Sequence, residues 1–227
     1  MLSLHLSSTR SLWGCSRGAR GSPQLSVWRP SNEKKTASLF QWAHPHRPVP
    51  TVVRAINKKT GLHTLDLKGC YSLRDVRPLS ALVGLHSLCL GWVRRLSDVQ
   101  ALSALVGLRK LELYACSRLV DLRPLSALVG LRSLNLRMCD SLCDVRPLSA
   151  LLALSTLDLG CCNQLSDVAS LSALNRLKAL DLSWCSQLCD SDVRALAAIL
   201  CSRGVTVKFA FGNLGEEEWA PTCSFDT

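Results

Sequence analysis

The chain has 227 residues, 48% of them hydrophobic and 5% aromatic, with a formal net charge of +10, enough for one domain with tails. The charge is unevenly spread. Residues 1–60 hold ten Lys or Arg against Glu33 alone, whereas residues 61–227 hold 17 basic and 16 acidic groups, so the larger part lacks the basic excess of a nucleic-acid surface.

Residues 1–50 share no period with the rest of the chain. The run MLSLHLSSTRSLWGCSRGARGSPQLSVWRPSN is rich in Ser and Arg and free of acids. That composition fits a mitochondrial transit peptide, a disordered basic leader, or sequence wrongly joined to the front of a gene. His5 and Arg10 interrupt any apolar run after Met1, which argues against a secretory signal, and no stretch reaches the roughly 18 apolar residues of a membrane span. The proline-rich run from Pro45 to Pro50 reads as a linker. In residues 51–60, Val52, Val53 and Ile56 read as a partial repeat covering the open end of the core behind it.

From Gly61 onward one unit recurs. GLHTLDLKGCYSLRDVRPLSALV begins there, copies begin at Gly84, Gly107, Gly130, Ala153 and Arg176, and the first five are each 23 residues long. A period in the twenties defines a solenoid in which each unit buries its apolar face against its neighbours. In the third copy Leu111 and Leu113 alternate with Lys110, Glu112 and Tyr114, the period-two pattern of a strand with one buried face. Leu108 and Leu119 flank it and point inward. Asp121 as N-cap, Pro124 in the first turn, and Leu125 and Leu128 three apart predict a short helix or 3₁₀ turn. Gly107 and Gly130 bracket the unit. The sixth copy lengthens into CDSDVRALAAILCSRG, where Asp190 or Ser191 caps a true helix, Val193, Leu196, Ala197 and Leu200 share a face, and Gly204 ends it. VTVKF, 205–209, predicts a last strand closing the sheet edge. The remainder, 210–227, reads as an acidic, aperiodic, mobile tail.

The pattern L-x-x-L-x-L-x-x-C-x-x-L stands as Leu62, Leu65, Leu67, Cys70 and Leu73, and again as Leu131, Leu134, Leu136, Cys139 and Leu142. Over residues 51–209 the chain resembles the leucine-rich repeat family, with cysteine where asparagine often stands and Val93 departing from the row. The resemblance implies an α/β, right-handed solenoid, with a parallel sheet on the concave side and short helices or 3₁₀ turns on the convex side.

Cys70, Cys116, Cys139, Cys162 and Cys185 share the tenth place of their repeats and read as buried thiols in a tight turn. An aliphatic core of this kind needs no disulfide staples, which places the protein in a reducing compartment, cytoplasmic or, through the leader, mitochondrial. Cys139 with Cys143 and Cys185 with Cys189 are each four apart. One member of each pair belongs to the buried row and the other precedes a capping aspartate, an arrangement that does not bring four ligands to one metal ion. The row Asp75, Asp98, Asp121, Asp144 and Asp167 reads as one cap per repeat. His63 and His86 occupy equivalent places and have no nucleophile at a motif spacing. No phosphate loop or enzyme signature is present, so no cofactor and no metal is expected.

What varies between copies lies between and just after the strand leucines. From these positions the candidate partner-binding residues are Asp66, Trp92, Glu112, Tyr114, Arg137, Asp158, Asp181 and Trp184. Alternation puts them on the solvent side of the sheet, the concave face by the resemblance. Trp92, Tyr114 and Trp184 are the anchoring types, and the charged residues set preference. The expectation is a non-catalytic, monomeric scaffold that binds another protein, with no nucleic acid on the repeats. The alternative is a regulatory or substrate-recognition subunit of a phosphatase, cyclase or ubiquitin-ligase complex, which the resemblance also implies.

Overall fold

Leu65, Leu88, Leu111, Leu134, Leu157 and Leu180 stand side by side, each at the centre of a short parallel strand. All are buried to 2% exposure or less. The computed structural model describes residues 36–38, 61–71, 73–211 and 214–219. Six of its strands follow the repeat: β2 (Thr64–Asp66), β3 (Ser87–Cys89), β4 (Lys110–Glu112), β5 (Ser133–Asn135), β6 (Thr156–Asp158) and β7 (Ala179–Asp181). With β1 (Thr36–Ser38) before them and β8 (Thr206–Phe211) after, they form a parallel sheet in strict sequence order. Each of the six is three residues long and centred on one inward leucine, with the second inward leucine just beyond its end. The connections make a right-handed leucine-rich-repeat solenoid, the hand that parallel crossovers require.

On the far side of each repeat is a 3₁₀ turn: Arg77–Ala81, Gln100–Ala104, Arg123–Ala127, Arg146–Ala150 and Ala169–Ala173. The expected capping aspartates act one residue earlier than a true N-cap. Val76, Val99, Leu122, Val145 and Val168 hold the cap position. The preceding aspartates accept the N–H two residues on, at 2.8–2.9 Å. This is an Asx turn, which a short carboxylate forms more readily than a full helix cap. Two of the turns form without proline, at Gln100 and Ala169, so the aspartate and the inward leucine suffice.

Sheet and turns enclose one core. In the third repeat, seven leucines (108, 111, 113, 119, 122, 125, 128) and Cys116 are buried to 1% or less, each leucine contributing about 1.5–3 kcal/mol before chain entropy. Helix α1 (Asp190–Cys201) closes the far end, burying Val193, Leu196, Ala197, Leu200 and Cys201. Cys189 rather than Asp190 or Ser191 takes its N-cap. Gly204, with φ of 77°, turns the chain into β8.

The sheet runs past both boundaries expected for the solenoid. Strand β1 pairs with β2 from within the segment read as an unstructured leader. Strand β9 (Leu214–Trp219) pairs antiparallel with β8, inside the segment read as a mobile tail. Neither has an amphipathic alternation to announce it. The open edges of β2 and β8 offer unmatched backbone groups, and any extended segment satisfies them. The partial repeat expected at Val52, Val53 and Ile56 lies outside the described residues.

Candidate partner-binding face

Three rows of side chains cross the exposed face of the sheet, each in register from repeat to repeat. The first is small and uncharged apart from one lysine: Thr64, Ser87, Lys110, Ser133, Thr156, Ala179 and Thr206. The second is mostly acidic: Asp66, Cys89, Glu112, Asn135, Asp158, Asp181 and Lys208. The third, two residues on, is Lys68, Gly91, Tyr114, Arg137, Gly160 and Ser183. Four second-row side chains also do structural work. Asp66, Asn135, Asp158 and Asp181 each accept the N–H two residues later, at 2.8–3.0 Å, and so shape the turn that ends the strand.

The two large third-row side chains lie flat, in opposite directions, over glycines. A Cβ at Gly91 would fall on the Tyr114 ring, and one at Gly160 on the Arg137 guanidinium. Tyr114 thereby reaches Lys68, whose ammonium stands 5.4 Å from the ring centroid, and hydrogen bonding to the tyrosine raises the lysine pKa. Arg137 reaches the other way, 3.9 Å from Asp158 and 3.6 Å from Asp181. Burial pushes the Asp158 carboxyl up, and its neighbour Asp181 adds to that against the Gly160 N–H and Arg137. Burial also opposes ionisation of Glu112. There the hydrogen bonds from Lys110, 2.6 Å away, and from the Cys89 thiol outweigh it, and the carboxyl is held below its ordinary value.

Over β4–β8 the first two rows border a hollow of about 410 Å³, with Lys110 and Lys208 among its lining. Ser133, Thr156, Ala179 and Thr206 line it with small side chains, while Glu112, Asn135, Asp158 and Asp181 line it with polar ones. Of the eight residues expected from the sequence, Glu112, Asp158 and Asp181 line this hollow, and Tyr114 and Arg137 stand in the third row. Asp66 lies on the same face two strands before β4. Trp92 and Trp184 are elsewhere. They occupy the turn beyond the strand with φ of 63° and 64°, Arg94 stacks on Trp92 at 5.1 Å, and four strand steps, about 19 Å, separate the two. They flank the face and do not form one anchor cluster with Tyr114. Sequence reading passed over Lys110, Lys208 and the small first row. The in-register run Ser133, Thr156, Ala179 was the available signal, because small residues recur there while larger ones line the rows beside it.

The cysteine row is structural. Cys116, Cys139, Cys162 and Cys185 donate S–H to the carbonyls of Leu90, Leu113, Leu136 and Leu159 in the preceding repeat, at 3.1–3.4 Å. Burial pushes the thiols of Cys116 and Cys162 up to about 12, so they are not nucleophiles at neutral pH. Among the described residues no three His, Cys, Asp or Glu side chains gather as metal ligands, and no helix is long and apolar enough to cross a membrane.

No family model matches the sequence, and no curated protein matches it. Solved structures do. One is an internalin C2 from Listeria monocytogenes, 23% identical, covering 77% of this chain and 70% of its own, with a TM-score of 0.56. Another is TLR13 in complex with ssRNA13, 26% identical, covering 62% of this chain and 21% of its own, with a TM-score of 0.50. Internalins and TLR13 are leucine-rich-repeat proteins. The chain thus spans about a fifth of the TLR13 chain.

Proposed function

The protein is a leucine-rich-repeat solenoid, and from that premise we propose that it is a non-catalytic scaffold binding another protein through the concave sheet face. The observation behind this reading is the placement of Tyr114 and Arg137. Each lies along the sheet over a glycine of the adjoining repeat, held by Lys68 on one side and by Asp158 and Asp181 on the other. An aromatic ring and a guanidinium fixed in advance lose little rotamer freedom on contact with a partner, which is what makes such residues effective anchors. The carboxylates of Asp66, Glu112, Asp158 and Asp181 on the same face repel a phosphate backbone and favour a protein ligand over nucleic acid. The buried thiols of Cys116, Cys139, Cys162 and Cys185, each donating to a backbone carbonyl, fit a reducing, intracellular setting.

The test is capture from native lysate on the full chain, beside the Tyr114→Ala/Arg137→Ala variant and the Trp92→Ala/Trp184→Ala variant, after circular dichroism has matched their folds. The first variant is expected to lose a protein that the wild type retains. Identical capture by that variant and the wild type would remove the concave face from the reading.

A further inference from the structure

The opposite margin of the sheet, where each strand starts, has a composition of its own. The five segments that lead into β3–β7, residues 81–87, 104–110, 127–133, 150–156 and 173–179, contain no aspartate or glutamate. Every acid of residues 61–209 lies on the strand-end side, on the convex turns or, as Asp190 and Asp192 do, in the first turn of α1. Along this acid-free edge Val83, Val106, Val129 and Leu152 are 57–64% exposed, one per repeat. Three residues on from each valine come His86, Arg109 and Arg132, and Lys178 continues their row two repeats later. The row is kept in register by N–H to carbonyl bonds of 2.8 Å from one repeat to the next. Among the described residues none of these four forms an ion pair with a carboxylate. The core does not use the exposed aliphatic row, since the other leucines of the same repeats are buried to 6% exposure or less. In the basic row, His86 and Arg109 reach only the carbonyls of Gly84 and Gly130 and the His63 ring.

We infer that this strand-start edge docks an acidic amphipathic α-helix of a partner protein. The row from His86 to Lys178 covers four strand steps, about 19 Å, the length of about 13 helical residues. A helical turn of about 5.4 Å nearly matches the repeat spacing of about 4.8 Å, so one apolar residue per turn meets one valine per repeat. An extended peptide, whose same-side residues recur at about 6.7 Å, does not keep that step. Acidic residues beside the apolar stripe meet Arg109, Arg132 and Lys178. Residues 1–60, with ten basic residues and one acid, do not supply the acids that such an edge attracts, and the same edge of a second copy is repelled. A lipid surface fits less well, because among the described residues the edge has none of the exposed tryptophan or tyrosine that anchors proteins at an interface.

The probe is a fluorescein-labelled Leu/Glu amphipathic helix of about 16 residues, with a twin in which lysine replaces each glutamate, titrated against the full chain by anisotropy at low salt. The acidic helix is expected to bind and the lysine twin to fail. Arg109→Glu/Arg132→Glu and Val106→Asp/Val129→Asp, all at exposed positions, should each weaken binding at least about tenfold. Tyr114→Ala/Arg137→Ala should leave it unchanged, which separates this edge from the concave face. No binding to wild type at millimolar helix overturns the inference, as does binding indifferent to both edge variants. Loss with the arginine pair alone would reduce the edge to a polyanion site and reject the helix. Co-sedimentation with phosphatidylcholine/phosphatidylserine vesicles in place of helix binding would reject it in favour of a lipid surface.

Discussion

Gly69, Trp92, Ala115, Met138, Cys161 and Trp184 occupy one place in successive repeats, and all have a left-handed backbone, with φ between 58° and 71°. A residue with a Cβ pays about 1–2 kcal/mol for that conformation, yet only the first copy uses glycine. The strain is held by the next repeat. The N–H groups of residues 69, 92, 115, 138 and 161 donate to carbonyls one repeat on, at 2.7–2.8 Å, which ties each turn to its neighbour. Ala115 is nearly buried, at 5% exposure. Ala115→Val, which puts a β-branched side chain at positive φ, is expected to cost about 2 kcal/mol in urea denaturation, and Ala115→Gly less than about 1 kcal/mol either way. This conformation is also why Trp92 and Trp184 stand beside the face and not on it, a displacement that strand alternation alone does not reveal.

At the scale of one element, the 3₁₀ turn shows how little sequence a repeat needs on its convex side. In three copies the aspartate holds both the N–H two residues on and the guanidinium of the same residue, as Asp144 does with Arg146 at 2.8–2.9 Å. Hydrogen bonding from Arg146 lowers the Asp144 pKa to about 2, from an ordinary 3.8. A carboxylate with a depressed folded pKa stabilises above its unfolded value and loses that contribution as pH falls through the folded one. The pair is exposed to water, so Asp144→Ala should cost at most about 1 kcal/mol at neutral pH. The difference from wild type should shrink between pH 3.8 and about 2 and in high salt. Urea midpoints across that pH range check it. A gap that persists below pH 2 would mean that the aspartate acts through something other than its charge.

For the whole molecule, stability is set between neighbours. Leu134 in β5 touches the strands on both sides through its register partners Leu111 and Leu157. Leu134→Ala should cost about 2–5 kcal/mol. Hydrogen exchange should show protection falling in β4 and β6 as well as in β5. Loss confined to β5 would contradict nearest-neighbour coupling. The fold itself was legible because the leucines at 62, 65, 67, 73, 79 and 82 recur with a fixed period, and burial of a repeated apolar set has one stacked solution. The candidate face was legible in part. Glu112, Tyr114, Arg137, Asp158 and Asp181 follow from alternation, whereas the glycine cradles under Tyr114 and Arg137 depend on contacts between residues 23 apart in sequence.

By itself the sequence determined the repeat, its inward leucines, its cysteine row and the alternation that exposes one sheet face, since each is a local pattern multiplied by a period. Only the tertiary structure decided which way Tyr114 and Arg137 lie, that two tryptophans sit in left-handed turns, that β1 and β9 extend the sheet, and that valines and cations gather on an acid-free edge. Those outcomes are settled by hydrogen bonds and side-chain contacts between adjacent repeats, and such contacts come into being only when the repeats stack.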